Sequence, residues 1–390
     1  MMSSAAVAFT LFMFLYAAGR FFAGKTKGII AEALFLCLVY AIGFITGIIP
    51  RDSLTNTGLP AMMSAFGTML LVTNLGTMIE LKRFIKEWKT VVVCLGGLAV
   101  MTLLFCTVGV MIYGREHALS AVSPVAGGIV AASLVNEAAQ AAGKADLGAF
   151  ASLLCSLQTF VGVPVSALLM KSYTNRVVAE KSYTRAEEAE NAFSIKIFTN
   201  LPAIFMDKPI MVARLGLMLI AGILISKATG GMVPAAVAVL VTGIIGTEIG
   251  FLEKQTLSKA GYMDFLIMGL ILTLINGFNN LTIESLTGMI VPIIFFLILG
   301  ALGLALGGAI IGLILRVNWK VAASVALSAM FGYPMTEIII NNIVNSYSIP
   351  DEEKELLRNM VMPQMIIAGF TTVTVASVAL AGFIVPYIFA

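Results

Sequence analysis

Runs of close to 20 apolar residues recur along the chain with short polar turns between them. A helix needs about 20 apolar residues to cross the hydrocarbon core of a bilayer. Unbroken runs cover 5–22, 29–49, 60–79, 90–113, 147–170, 211–227, 232–250, 261–280, 288–315 and 361–389. None alternates in the manner of an outer-membrane strand, so the pattern predicts ten transmembrane helices. Two further stretches, 120–144 and 321–347, are as long but of another kind. The first reads SAVSPVAGGIVAASLVNEAAQAAGK and the second contains AMFGYPMTEIIINN. Each carries Gly and Pro breakers and, part-way along, a carboxylate: Glu137 or Glu337.

Charge placement decides how those two stretches lie. No basic residue precedes the first run, whereas Arg20, Lys25 and Lys27 follow it. It therefore reads as a first span with the N-terminus outside, not as a cleaved signal. If both unusual stretches cross, the basic residues divide 11 inside and 13 outside, which is no bias. If each enters and leaves on one face, 20 of the 24 lie inside, and only Arg51, Arg115, Lys144 and Lys227 lie outside. Positive charge accumulates on the cytoplasmic side, so both stretches are expected to be re-entrant hairpins. Broken backbone at that depth must face protein or water, so the hairpins are expected to line a cavity. The expected fold is an all-α polytopic membrane protein of about ten spans and two hairpins, multi-pass in the cell (inner) membrane, with both termini extracytoplasmic.

Residues 1–173 and 209–390 then hold five spans and one hairpin each, joined by a polar cytoplasmic linker over 174–208. Five is odd, so the second half runs inverted relative to the first. Gly67 and Asn74 match Gly269 and Asn276 at an offset of 202, Glu137 matches Glu337 at 200, and Gln158 matches Gln364 at 206. Inverted repeats of this kind are the usual build of a secondary transporter.

Composition closes off other classes. The chain has 390 residues, 59% hydrophobic and 12% charged, with a net charge of +3; a soluble domain carries about 25% charged residues. A soluble enzyme and a disordered scaffold are excluded, and +3 is too small for a nucleic-acid partner. His117 is the single histidine, and the four cysteines sit unpaired in apolar runs. With no metal set and no nucleophile–base pair, the chain is not expected to be an enzyme or to hold a cofactor beyond a coupling ion, Na⁺ or H⁺. The partners left are the bilayer and a small-molecule substrate.

A carboxylate deep in a membrane is costly and therefore functional by default. Glu137 and Glu337 lead the candidates. Asn136 and Thr336 beside them read as N-caps of half-helices, with the acid in the first turn; such a terminus also attracts anions. The bland reading puts both acids in water at a hairpin mouth. Ser133, Asn136 and Glu137, with Gly332, Thr336, Glu337 and Asn341, are the candidate substrate-binding residues. Asn74, Gln158, Asn276 and Gln364 join the two acids as candidate cation ligands, with interhelical hydrogen bonding as their alternative role. The string Gly300, Gly303, Gly307, Gly308, Gly312 reads as helix packing. The stretch Glu80–Lys89 is basic and amphipathic, suited to the inner surface.

FGTMLLVTNLGTMI (66–79), AGGIVAAS (126–133) and PMTEIIINN…PQMIIAG (334–369), set in two inverted halves, resemble the glutamate:sodium symporter family and the 2-hydroxycarboxylate (citrate:sodium) transporters. The tips here read SLVNEAAQ and FGYPMTE where those families have glycine-rich sequence. The resemblance implies an elevator-type transporter. A core carrying the hairpins would slide past a scaffold that also forms a homodimer. It assigns spans three to five and eight to ten mostly to the core, and the first two spans of each half to the scaffold. The expected function is Na⁺-coupled symport of a small organic anion or amino acid. The alternative is a proton- or cation-coupled exporter or antiporter of a cationic or amine substrate, with a channel as a further rival.

Overall fold

The computed structural model describes residues 4–25, 32–78, 87–183, 202–230, 232–279, 282–333 and 335–389. The core of the basic surface stretch, 79–86, and the linker residues 184–201 lie outside them. Within the described residues every regular element is helical. In order these are α1 (Ala5–Lys25), α2 (Glu32–Thr46), α3 (Leu59–Met78), α4 (88–113), α5 (115–125), α6 (Ile129–Ala141), α7 (Ala145–Leu157) and α8 (Thr159–Glu180). Then follow α9 (Lys208–Ala228), α10 (Ala235–Glu248), α11 (Thr256–Ala260), α12 (Met263–Asn276), α13 (Ile283–Ile314), α14 (Trp319–Leu327), α15 (Met335–Asn345), α16 (Asp351–Phe370) and α17 (Ser377–Ile388). Seven helical stretches among them are long and apolar enough to cross a membrane, and four shorter apolar helices accompany them. A polytopic all-helical chain follows from this.

Close packing comes from glycine. A Cβ on Gly76 of α3 would lie 2.5 Å from the Leu240 carbonyl oxygen of α10, and one on Gly243 of α10 would overlap the Thr73 carbonyl of α3. The two helices therefore touch backbone to backbone. So α3 is bound along α10, and it also meets the first hairpin, through Thr68. Gly303 and Gly307 of α13 admit Met101 and Gly96 of α4 in the same way, each 2.6 Å from the missing Cβ. The opposite face of α13 exposes Ile290, Val291, Ile294, Ile298, Leu302, Leu306 and Ile310, an aliphatic strip fit for lipid. Gly243→Val is expected to wedge α3 from α10. Overpacking of this kind costs about 1–3 kcal/mol, which thermal melts of the detergent-solubilised protein read as a drop of several degrees.

The two unusual stretches each double back. The helix begun at Trp88 stops at Gly114 (φ 79°, ψ 169°), and α5 starts anew. After the break at 126–128, α6 returns until Lys144 Nζ pairs with Glu116 at the start of α5. The rings of His117 and Phe150 stack edge-on, 5.5 Å apart. The mouth of this hairpin lies against the end of α17, where Arg115 donates to the Tyr387 carbonyl at 2.7 Å. The second hairpin, α14–α15, has both ends at the far end of α8. Lys320 Nζ bonds Ser172 Oγ at 2.7 Å, and Tyr347 Oη bonds Asn175 Oδ1 at 2.6 Å.

Candidate functional site

The two hairpins meet at their tips. Backbone with φ of 105°, 94° and 61° at Gly127, Gly128 and Gly332 makes the turns, a region open to glycine and closed to most other residues. Contact is as demanding as conformation. A Cβ on Gly127 would overlap the Ala329 carbonyl of the other hairpin, one on Gly128 would lie 2.5 Å from the Val373 carbonyl, and one on Gly332 2.7 Å from the Val373 side chain. Val373 sits in a π-helical turn, Thr371–Ala376, joining α16 to α17. From α8, Gly162 admits Met330, and Thr159 Oγ1 donates to the Met330 carbonyl at 3.5 Å. Each tip thus brings together the C-terminus of one arm and the N-terminus of the next, with end carbonyls and amides that the helices cannot satisfy internally.

The segments that form this crossing carry a set of unsatisfied oxygens. Ser120 and Ser123 Oγ of α5, Ser133 Oγ of α6, Gln158 Oε1, Ser328 Oγ and Thr336 Oγ1 are buried without a hydrogen-bond partner among the described residues. Buried polar groups are nearly always paired, and leaving one unpaired costs about 1–3 kcal/mol. Six on the segments that form one crossing mark a place suited to a polar ligand or ion. Three of them, Ser133, Gln158 and Thr336, are candidates from the sequence, and Gly332 makes the second turn.

Other candidates have different roles. Helix α6 starts at Ile129, so Asn136 is no N-cap and Glu137, its ninth residue, is far from the first turn. The break falls at Ala126–Gly128, because two glycines accept positive φ there while SLVNEAAQ is fully compatible with helix. Asn136 instead donates Nδ2 to the carbonyls of Thr273 and Leu274, at 3.0 and 3.4 Å, and so caps the end of α12. Glu137 Oε1 accepts from Thr68 Oγ1 of α3 at 2.7 Å. Glu337 is the third residue of α15 and is half-buried with no hydrogen bond or ion pair among the described residues. The two acids therefore hold non-equivalent positions, and no hydrogen bond joins them among the described residues.

Asn74 and Asn276 lie away from the crossing. Asn74 Oδ1 accepts from the Leu257 amide at 2.9 Å, and Asn276 Oδ1 accepts from Thr55 Oγ1 at 2.9 Å. Their alternative role, bonding between segments, is the one this geometry supplies. Asn341 Oδ1 accepts from Arg358 Nε at 3.1 Å. Gln364 lines a cleft of about 170 Å³ together with Glu87, Trp88, Lys89 and Thr90.

Ser120, Ser123, Ser328 and Thr68 escape a reading of the sequence that looks for acids and amides. A signal was present. Ser120/Ser324 and Gly128/Gly332 recur at an offset of 204, Ser123/Ser328 at 205 and Gln158/Gln364 at 206, a tighter register than the offset of 200 between the acids. No group of three or more His, Cys, Asp or Glu able to hold a metal ion occurs among the described residues.

No family model matches the chain, and no curated protein matches it. Among solved structures it is similar to the sodium proton antiporter MjNhaP1 from Methanocaldococcus jannaschii, at 15% identity over 99% of each chain with a TM-score of 0.41.

Proposed function

We propose that the chain is a secondary active transporter of the inner membrane, a cation-coupled symporter of a small organic anion or amino acid whose site is the crossing of the two hairpins. The observation that carries this reading is the meeting of two opposed helix breaks, on segments that carry six buried oxygens without partners among the described residues. Half-helix N-termini at Ile129 and Met335 suit a carboxylate, and hydroxyl and amide oxygens suit Na⁺.

Two inverted repeats, 1–173 and 209–390, fit the same geometry. The bonds Asn74–Leu257 and Thr55–Asn276 are images of one another, since adding 202 to 55 and 74 gives 257 and 276. Each ties a third span to the short helical segment between the second and third spans of the opposite half. With repeats so placed, sliding of the hairpin-bearing helices past the others, in a homodimer, would expose the crossing to each side in turn.

One observation favours the second reading, proton- or cation-coupled export of a cationic substrate. Glu137 has Thr68 as its polar partner and no basic residue paired with it among the described residues. Uptake into proteoliposomes under an imposed Na⁺ gradient tests the first reading, with carboxylate and amine solutes offered in turn. Carboxylate uptake that collapses with the Na⁺ gradient is the expected result. Transport of amines alone, driven by a pH gradient, would favour the second.

A further inference from the structure

Helix α15 is turned the wrong way round for lipid. Its buried residues are Met335, Thr336, Ile339, Ile340, Ile343 and Val344. The remaining face carries Glu337, Asn341, Asn342 and Asn345, with Ile338 as its one apolar member, and Tyr333 just ahead of it is 48% exposed. On α13 the outward residues are aliphatic; on α15 the apolar side packs inward and the amides and carboxylate face out.

The depth of this face makes it significant. At its start α15 adjoins Gly332, beside the crossing with the opposed hairpin, and its end reaches the level of Lys171–Asn175 on α8 through Tyr347. Between those levels α8 belongs to an apolar stretch, Ala145–Glu180, long enough to span a membrane. Eleven residues of helix rise roughly 16 Å, about half the hydrocarbon core. A carboxylate and three amides over that depth cannot face acyl chains without a cost of several kcal/mol.

At the outer end of the face stands Arg358. Its Nε and Nη2 donate to Asn341 and Asn345 at 3.1 and 3.4 Å, and it forms no ion pair among the described residues. A guanidinium held by neutral amides keeps its full charge for whatever passes.

We infer that the polar face of α15 is the wall of a water-filled passage, leading from the side of the α8 C-terminus to the hairpin crossing, and that the solute using it is small and hydrophilic. The passage rests on the transporter reading only for its use. Its walls are neutral amides, with a cation at the mouth and a carboxylate at the deep end. Such walls admit hydrated polar solutes and offer a lipophilic one little beyond Ile338 and Tyr333.

Single cysteines along α15 test the inference, in the full chain in proteoliposomes treated from each side with a charged, membrane-impermeant methanethiosulfonate. Peptide mass spectrometry separates them from the native cysteines. Asn342→Cys, Asn345→Cys and Glu337→Cys are expected to react from the α8 C-terminal side at least tenfold faster than Ile340→Cys or Val344→Cys. The Asn342 side chain makes no hydrogen bond among the described residues, so that variant keeps the test valid if Glu337→Cys fails to fold. Reaction with a lipid-soluble maleimide alone would place the face in lipid and overturn the inference. Silence from both sides would mean cover by another protein and overturn it equally. Labelling requires no transport: a reactive α15 in protein without uptake removes the transporter reading alone, and uptake with an unreactive α15 removes the passage alone.

Discussion

Gly127→Val is expected to cost about 2–5 kcal/mol of stability and to abolish transport. Two physical effects add. A φ of 105° is strained for any residue with a Cβ, by about 1–2 kcal/mol in the left-handed region. The new side chain would also enter the space of the Ala329 carbonyl, where overpacking costs about 1–3 kcal/mol. Against a total of roughly 5–15 kcal/mol such a loss is severe, and it falls where the two tips must touch. Gly114→Ala separates the two effects. Its backbone (φ 79°, ψ 169°) lies in a region essentially restricted to glycine, yet nothing lies within 4 Å of a Cβ there, so only the strain of about 1–3 kcal/mol applies. Thermal melts in detergent give the order: wild type, Gly114→Ala, then Gly127→Val well below. A Gly127→Val protein that melts with the wild type and still transports would mean that the tips are not packed against one another.

Glu137→Gln is expected to remove cation dependence from transport. The carboxylate sits at the contact of α6 with α3, with one hydroxyl as its polar partner. If it holds a coupling cation or proton, the amide variant binds neither, and uptake no longer follows the gradient. An anionic substrate should still bind, with altered ion dependence; a cationic substrate should not bind at all. Thr68→Val is the milder companion. Hydrogen bonds to charged groups contribute about 1.5–3 kcal/mol, and each 1.4 kcal/mol is about tenfold in an equilibrium constant. The apparent affinity for the coupling ion should therefore shift by about ten- to a hundredfold, read as initial rate against Na⁺ concentration and then against pH; the lost donor had satisfied the ionised form, so a coupling proton should be held more tightly. Glu137→Gln with unchanged rate and unchanged ion dependence would leave the acid as helix adhesive and nothing more.

How much of this was legible beforehand differs from element to element. Most apolar runs place the helices to within a few residues, because the length of apolar chain needed to cross a bilayer is a local property. The runs 147–170 and 361–389 miss the ends of α8 at Glu180 and α16 at Asp351 by ten, where polar turns extend the helices beyond the apolar stretch. Gly127, Gly128 and Gly332 were visible as breakers for a similar reason, since positive φ is a property of the single residue. The choice between AGG and SLVNEAAQ as the turn was not visible in the same way. Both are tolerated locally, and the close approach of Ala329 and Val373 is what demands glycine at the first.

The same division runs through the polar residues. Sequence alone determined a lipid-embedded helical chain and the two stretches within which helix breaks, both of which follow from single residues or short windows. Only the tertiary structure decided that Asn136 caps α12, that Thr68 meets Glu137, that Glu337 faces out while Ser123 and Ser328 are sealed in, and that α15 shows its polar side. Those outcomes depend on partners far away in the chain, and a side chain's own chemistry does not state whether its hydrogen bond will be met.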